Sequence, residues 1–268
     1  MEMYHLGEIP SETQIRKFLR RILYGKNIFC PACKSREVTC YEERYRCKRC
    51  RVKFSLISHT WLANLKISLQ EFWLILWCWT TQIPVRQAIA LTSLSEKGVR
   101  HWYDLFRNHL PHDQALLEAI IQLDEAYFGG WQGVTLLMGK QAGTRKLAWQ
   151  ILPHNQPARI DAYWFLKSYV KPKSILQTDG AAIYQEMERL FPITHQFEIH
   201  KEFKFTKTAE IEGMFGVLKT FIRRMYHHVT LKKLPELVWE FCYRFSHPEM
   251  FKNPRYYLKN SLVLVPTG

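Results

Sequence analysis

Four cysteines near the N-terminus constrain this chain more than any other feature. They form two C-x2-C pairs, Cys30 with Cys33 and Cys47 with Cys50. This spacing matches a tetrahedral zinc site, in which each pair presents two sulfurs to one ion from a tight turn. Two structural disulfides are the alternative, but we find neither a signal peptide nor the pattern of a secreted domain. The sequence therefore predicts a zinc ribbon, with structural zinc, at residues 28–60.

The other cysteines fit no second metal site. Cys40 lies between the two pairs and lacks a partner at ligand spacing. Cys78 and Cys242 stand in apolar helical contexts, where a thiol packs as a small hydrophobic side chain. We therefore expect the last two to be buried thiols.

The charge of the chain indicates an anionic partner. Lys and Arg number 38 against 24 Asp and Glu, a formal net charge of +14, which favours nucleic acid or an anionic membrane. The longest apolar run, 72–79, is far too short to span a bilayer, so we expect DNA and no membrane. A basic surface without a specific partner is the alternative. Reduced-looking cysteines and no targeting segment predict a cytoplasmic protein, associated with the nucleoid when bound to DNA.

Basic clusters lie in and beside the predicted ribbon. Ser11 and Gln14 form a capping box that predicts a helix within 1–27. The second half of the ribbon alternates basic and aromatic residues, which suits phosphate contacts; a polar strand face around the metal is the alternative. We expect DNA contacts from Arg46, Lys48 and Arg49.

Helical segments follow the ribbon within 61–111. Segment 72–79 is apolar on all sides, as in a buried helix. Segments 85–91 and 96–108 are joined by a short turn, which fits a helix-turn-helix-like DNA-binding module, although any helical hairpin gives the same pattern. In the first interpretation the residues facing DNA are Lys97, Arg100, His101 and Arg107.

The second half of the chain, 112–230, has a different pattern. Its apolar segments predict three strands, a helix, a strand, a helix, a strand and a last helix. A ribonuclease H-like mixed sheet with flanking helices has this order, with the first three strands as an antiparallel meander. A helical extension, 231–268, follows. We therefore expect an α/β (α+β) fold, preceded by the zinc ribbon and the helical module.

Two acidic residues stand where predicted buried strands end. Asp124 follows the strand 120–123, and Asp179 follows the strand 174–178. Two carboxylates close together are costly unless cations compensate their charge. A pair of divalent metal ions would do so, and would also activate an attacking oxygen and stabilise a leaving one.

A third carboxylate is expected from the last helix of this half. Glu212 shares one stripe of that helix with Lys219 and Arg223, which would place a metal ligand beside groups that hold phosphate. A solvated helix face with an ordinary charge pattern is the alternative. Glu125 follows Asp124 directly and should point to the opposite face of the strand, so we interpret it as structural.

Taken together, these motifs resemble insertion-sequence transposases that join an N-terminal zinc ribbon to a DDE catalytic domain. The similar segments are Cys30-Pro-Ala-Cys33, Tyr45-Arg-Cys-Lys-Arg-Cys50, Leu123-Asp-Glu-Ala-Tyr-Phe-Gly-Gly130, Thr178-Asp-Gly180 and Ile211-Glu-Gly-Met-Phe-Gly-Val-Leu-Lys219. The resemblance implies that Asp124, Asp179 and Glu212 form the DDE triad, with two Mg²⁺ or Mn²⁺ ions.

The resemblance also implies a function. A transposase of this kind binds the terminal inverted repeats of its element, frees 3′-hydroxyls by cutting phosphodiester bonds and joins them to target DNA, as a homodimer or higher oligomer. Lys219 matches a basic residue beyond the last acid. The alternatives are a catalytically silent DNA-binding regulator and a ribonuclease H-like nuclease that cuts without joining.

Overall fold

The computed structural model describes residues 9–112, 114–197, 208–227 and 229–265. The α-helices are α1 Glu12–Tyr24, α2 Leu69–Thr80, α3 Val85–Thr92, α4 Glu96–Asn108, α5 Arg159–Tyr169, α6 Met187–Leu190, α7 Ala209–Tyr226, α8 Leu234–Ser246 and α9 Pro254–Ser261. The strands are β1 Val38–Tyr41, β2 Arg44–Cys47, β3 Lys53–Ser55, β4 Ile120–Phe128, β5 Val134–Gln141, β6 Leu147–Leu152, β7 Ile175–Thr178 and β8 Thr194–Phe197. Short 3-10 helices occupy Gly130–Gln132, Ala182–Tyr184, Leu231–Lys233 and Pro248–Phe251.

The chain folds into two compact units. The described residues up to His109 and from Glu249 onward form the first unit, and Leu110–Pro248 form the second. Among the described residues, none of the helices combines the length and the apolar character needed to cross a bilayer.

The first unit combines a small sheet with helices. Strands β1, β2 and β3 form an antiparallel meander. Ser11 and Gln14 make the predicted capping box at α1. Helix α2 is buried, as its apolar sequence predicts, and α9 packs against it. The ring centroids of Trp79 in α2 and Tyr257 in α9 lie 5.1 Å apart. The hydroxyl of Tyr257 donates to the carbonyl of Phe106 at 2.8 Å.

The second unit is built on one five-stranded sheet of order β6-β5-β4-β7-β8. Strands β4, β5 and β6 pair antiparallel, whereas β7 is parallel to both β4 and β8. Helix α5 covers one face through Phe165, which packs with Leu123 and Leu176. Helix α7 covers the other face over β4 and β5, and α8 lies over β6. This topology is the predicted ribonuclease H-like mixed sheet.

One predicted strand end was wrong, and one predicted helix is interrupted. Strand β4 does not end at Asp124, because its pairing with β5 continues to Phe128. The helix predicted after Asp179 is interrupted: a 3-10 helix, Ala182–Tyr184, is separated from α6 by Glu186, whose φ of 59° is left-handed and cannot continue an α-helix.

Candidate active site and zinc site

The four paired cysteines meet at one point of the first unit. Their sulfurs lie within 4.8 Å of one another, and Sγ–Sγ distances of 3.5 Å join Cys30 to Cys50 and Cys33 to Cys47. All four are free thiols, so the disulfide alternative does not hold. A tetrahedron with Zn–S bonds of about 2.3 Å separates its sulfurs by about 3.8 Å. The donor set and spacing therefore fit one zinc ion.

The two cysteine turns are built alike. The N–H of Lys34 donates to the carbonyl of Cys30 at 2.9 Å, and the N–H of Arg51 donates to the carbonyl of Cys47 at 3.1 Å. Lys34 and Arg51 both have positive φ, 59° and 66°. The N–H of Cys50 donates to Cys47 Sγ at 3.4 Å and, as the largest of several causes, lowers the pKa of the Cys47 thiol to about 6. Both turns thus direct their sulfurs toward a shared centre.

The remaining cysteines behave as expected. Cys40 is exposed on β1 and contributes no sulfur to the cluster. Cys78 and Cys242 are buried, and burial raises the pKa of the Cys78 thiol to about 12.

The structure brings the three predicted carboxylates to one region of the second unit. Asp124 lies in β4, and Asp179 directly follows the adjacent parallel strand β7. Glu212 is in the first turn of α7, which packs on β4. Each carboxylate accepts one local hydrogen bond: Asp124 from the N–H of Glu125 (2.8 Å), Asp179 from the N–H of Ala181 (2.9 Å) and Glu212 from the hydroxyl of Thr208 (2.8 Å).

The electrostatics of Asp124 reflect this grouping. Its pKa is raised to about 7, with burial as the largest cause; the hydrogen bond from the N–H of Glu125 lowers the pKa, and the charges of Glu125, Asp179 and Glu212 raise it. Within the described ranges, no Lys, Arg or His forms an ion pair with Asp124, Asp179 or Glu212. Carboxylate oxygens are the donors that Mg²⁺ and Mn²⁺ prefer. Among the described residues, however, only the four cysteines bring their ligand atoms within 4.8 Å of one another, and these three carboxylates do not.

Glu125 lies on the other face of β4, as strand alternation predicts. Its carboxylate accepts hydrogen bonds from the hydroxyls of Tyr184 (2.5 Å) and Tyr127 (3.3 Å). Tyr184 packs in the core beneath α5 with Leu123. Burial raises the pKa of Glu125, and the charge of Asp179 raises it further.

Most of the predicted DNA-contacting residues are at the surface of their own unit. Arg46, Lys48 and Arg49 are exposed in the ribbon, and Lys219 and Arg223 are exposed on α7. The Nζ of Lys219 lies 6.0 Å from the ring centroid of Phe128. The two helices α3 and α4 are joined at Ser93, which has a left-handed φ of 57°, and Ser95 caps α4. Arg100 is half-buried and pairs with Glu96 at 2.8 Å.

The expectation that Arg107 faces DNA was wrong. Its side chain is 1 % exposed and pairs with Asp104 at 2.6 Å. The reason is helical geometry, because Arg107 follows Val99 and Tyr103 at intervals of four residues on the buried stripe of α4.

The site contains groups that sequence patterns did not reveal. Gln122 accepts a hydrogen bond from the N–H of Ile211, and Lys140 pairs with Glu210. Thr208 donates to Glu212. The first two contacts depend on how α7 packs on the sheet, which local sequence does not show, whereas the Thr208–Glu212 bond lies within the start of α7. His227 follows α7, and the next residue, His228, lies outside the described residues.

The strand order and the four-cysteine site define a ribonuclease H-like domain attached to a zinc ribbon. Residues 116–246 match the ISXO2-like transposase domain, and residues 10–53 match the transposase zinc-ribbon domain. The two matches cover nearly two thirds of the chain. The chain therefore belongs to the insertion-sequence transposases that carry an N-terminal zinc ribbon and a DDE domain. No curated protein is detectably similar to it in sequence.

Two solved structures share a distant likeness with the chain. The catalytic core domain of BIV integrase is 11 % identical, with 47 % of this chain and 82 % of that chain covered and a TM-score of 0.33. A simian T-cell lymphotropic virus intasome, in complex with a PP2A regulatory subunit, is 11 % identical, with 65 % and 72 % covered and a TM-score of 0.35. These scores are too low to carry a fold assignment, which rests here on the strand order.

Proposed function

We propose that this chain is an active DNA transposase that binds the ends of its element, frees their 3′-hydroxyls and joins them to target DNA. Family membership supports a transposase that acts on DNA. The observation that carries the chemistry is the grouping of Asp124, Asp179 and Glu212, whose charges interact in a buried setting with no cation paired to them among the described residues.

In this proposal the three carboxylates hold two divalent ions, Mg²⁺ or Mn²⁺. Such a pair activates the attacking oxygen and stabilises the departing one in each in-line displacement at phosphorus. The residues around the triad have separate roles. Thr208 fixes one oxygen of Glu212, leaving its second oxygen free of that bond. Lys219 and Arg223, seven and eleven residues beyond Glu212 on an exposed stripe, hold the phosphates of the DNA strand.

The first unit supplies DNA recognition in this proposal. Exposed Arg46, Lys48 and Arg49 contact phosphates beside the zinc ribbon, and α3 with α4, through Arg100, contacts the element end. The zinc ion stabilises the folded ribbon and takes no part in the cleavage or joining reactions. Pairing of two ends for joining requires a homodimer or a higher oligomer on DNA. The proposed location is the cytoplasm, at the nucleoid when the protein is bound to DNA.

A strand-cleavage and strand-transfer assay tests this function. The full-length protein is incubated with labelled end DNA, target DNA and Mg²⁺ or Mn²⁺, and nicked and joined products are resolved. The proposal predicts both products. Binding without either product would indicate a silent regulator, and cutting without joining would indicate a nuclease. Glu188→Gln, an exposed carboxylate of α6, is the matched control for charge loss.

A further inference from the structure

Two buried polar residues on neighbouring strands hold the first turn of α7. Gln122 of β4 and Lys140 of β5 are directly opposite each other in the antiparallel register, so their side chains share one face of the sheet. Each is only 4 % exposed. Burying an amide and an ammonium group is costly unless both find partners, and both partners come from α7.

The partners are consecutive residues of the helix. The Oε1 of Gln122 accepts a 3.0 Å hydrogen bond from the N–H of Ile211. The ammonium of Lys140 pairs with Oε2 of Glu210, whose Oε1 accepts from the N–H of Gly143 at 3.3 Å. The sheet thus contacts the two residues that immediately precede Glu212.

The helix needs this support because its own cap does not provide it. A helix leaves its first N–H groups without intrahelical partners, and a capping side chain usually accepts from one of them. Thr208 is the N-cap residue, but its side chain makes no capping bond and donates instead to Glu212. The N–H of Ile211 reaches the carbonyl of Thr208 at 3.1 Å and shares its proton with Gln122.

The position of this contact relates α7 to the catalytic strand. Asp124 follows Gln122 by two residues, about 7 Å further along the same face of β4. Glu212 follows Ile211 by one residue. One hydrogen bond therefore ties the backbone beside Glu212 to the strand that carries Asp124.

Building on the proposed function, we infer that Gln122 and Lys140 are positioning residues, which set the register of α7 on the sheet so that Glu212 and Asp124 can hold the same metal pair. They touch neither DNA nor metal in this role. They act through the placement of Glu212, in the way that groups surrounding metal ligands tune the affinity of a site.

The test is Mn²⁺ binding by zinc-loaded, full-length protein without DNA, measured by titration calorimetry. Gln122→Met removes the acceptor while keeping the length of the side chain, and should raise the Mn²⁺ dissociation constant about 10- to 100-fold. Lys140→Met should act in the same direction, and gives a second variant should Gln122→Met not fold. Lys140→Met and the Lys140→Met/Glu210→Met double variant should have similar effects, because both remove the ion pair without leaving a buried ammonium unpaired.

The chain supplies a matched control. Gln177 of β7 is in register with Gln122, but its amide bonds to Gln196 of β8 instead of α7. Gln177→Met should therefore leave the Mn²⁺ dissociation constant within about twofold of the parent. Thermal unfolding of every variant separates a loss of stability from a loss of metal affinity.

The outcomes distinguish this inference from the function on which it rests. A parent protein that binds Mn²⁺, and an Asp124→Asn protein that does not, establish the metal site. If Gln122→Met and Lys140→Met then bind Mn²⁺ like the parent, or if Gln177→Met loses as much affinity, the positioning role is overturned and the metal site stands. If the parent does not bind Mn²⁺, the proposed function fails, and the positioning role with it.

Discussion

The hydroxyl of Tyr184 donates a 2.5 Å hydrogen bond to Oε2 of Glu125, on the face of β4 opposite to Asp124. Two successive acidic residues are thereby separated. Asp124 is directed toward α7 and Glu212, whereas Glu125 is held by a tyrosine that is itself buried in the core beneath α5. Consecutive carboxylates on one strand thus have different environments and, in our account, different roles.

We predict that Glu125→Gln keeps substantial cleavage activity, because an amide still accepts from Tyr184. Tyr184→Phe should lower the free energy of unfolding by about 1–3 kcal/mol, because it leaves the largely buried Glu125 carboxylate without its buried donor. Chemical denaturation measures the second effect and cleavage of end DNA the first. A Glu125→Gln protein as inactive as Asp124→Asn would show that Glu125 is itself a ligand.

We predict one tightly held zinc ion per chain. Cys47→Ser should lose the ion and unfold the ribbon, since zinc binding contributes directly to folding. Cys40→Ser changes a nearby cysteine outside the cluster and should retain the ion. Elemental analysis of both proteins and the parent is the measurement, and a folded parent without zinc would refute the assignment.

We predict that DNA binding weakens steeply with salt, through the basic residues of the ribbon. Replacing Arg46, Lys48 and Arg49 with Ala should reduce the slope of log affinity against log salt by about 0.9 for each phosphate that is no longer neutralised. Fluorescence anisotropy at several salt concentrations gives the slope. Lys171→Ala, at a lysine that is ion-paired with Glu118, is a control for charge. An unchanged slope in the triple variant would place the phosphate-binding residues elsewhere.

Arg100 and Arg107 should respond differently to replacement by Ala, although they lie two turns apart on the same helix. Arg107→Ala removes a buried guanidinium that pairs with Asp104, and should lower the free energy of unfolding by about 1–3 kcal/mol. Arg100→Ala should weaken binding to end DNA with little loss of stability, since its ion pair with Glu96 is largely solvated. Denaturation curves give the loss of stability and binding curves give the loss of DNA affinity for both variants. The reverse pattern would contradict this assignment.

Local sequence patterns predicted the structural features that depend only on residues close together in the chain. Cysteine spacing indicated the metal cluster, and the capping box at Ser11 indicated the start of α1. The order of apolar segments indicated the mixed sheet, because buried strands carry continuous apolar runs. Asp124 and Asp179 could be singled out because each directly follows such a run.

The hydrogen bonds and ion pair that set the docking of α7 could not be predicted in this way. Gln122 and Ile211 are 89 residues apart, and Lys140 and Glu210 are 70 apart. Nothing in their local sequences distinguishes them from solvated polar residues. Arg107 was misassigned for a related reason: its charge suggested solvent, whereas packing around α4 places it on the buried stripe of that helix. Tertiary context decided these positions.

The most direct test of the central claim compares cleavage and joining by the parent and Asp179→Asn proteins, with saturating end DNA in Mg²⁺. We predict that Asp179→Asn binds the end like the parent but loses both reactions by about a thousandfold or more, on the order of 4 kcal/mol of transition-state stabilisation. Asp124→Asn and Glu212→Gln should match it, and Glu188→Gln should resemble the parent. An Asp179→Asn protein that cuts the end at the parental rate would show that the active site lies elsewhere.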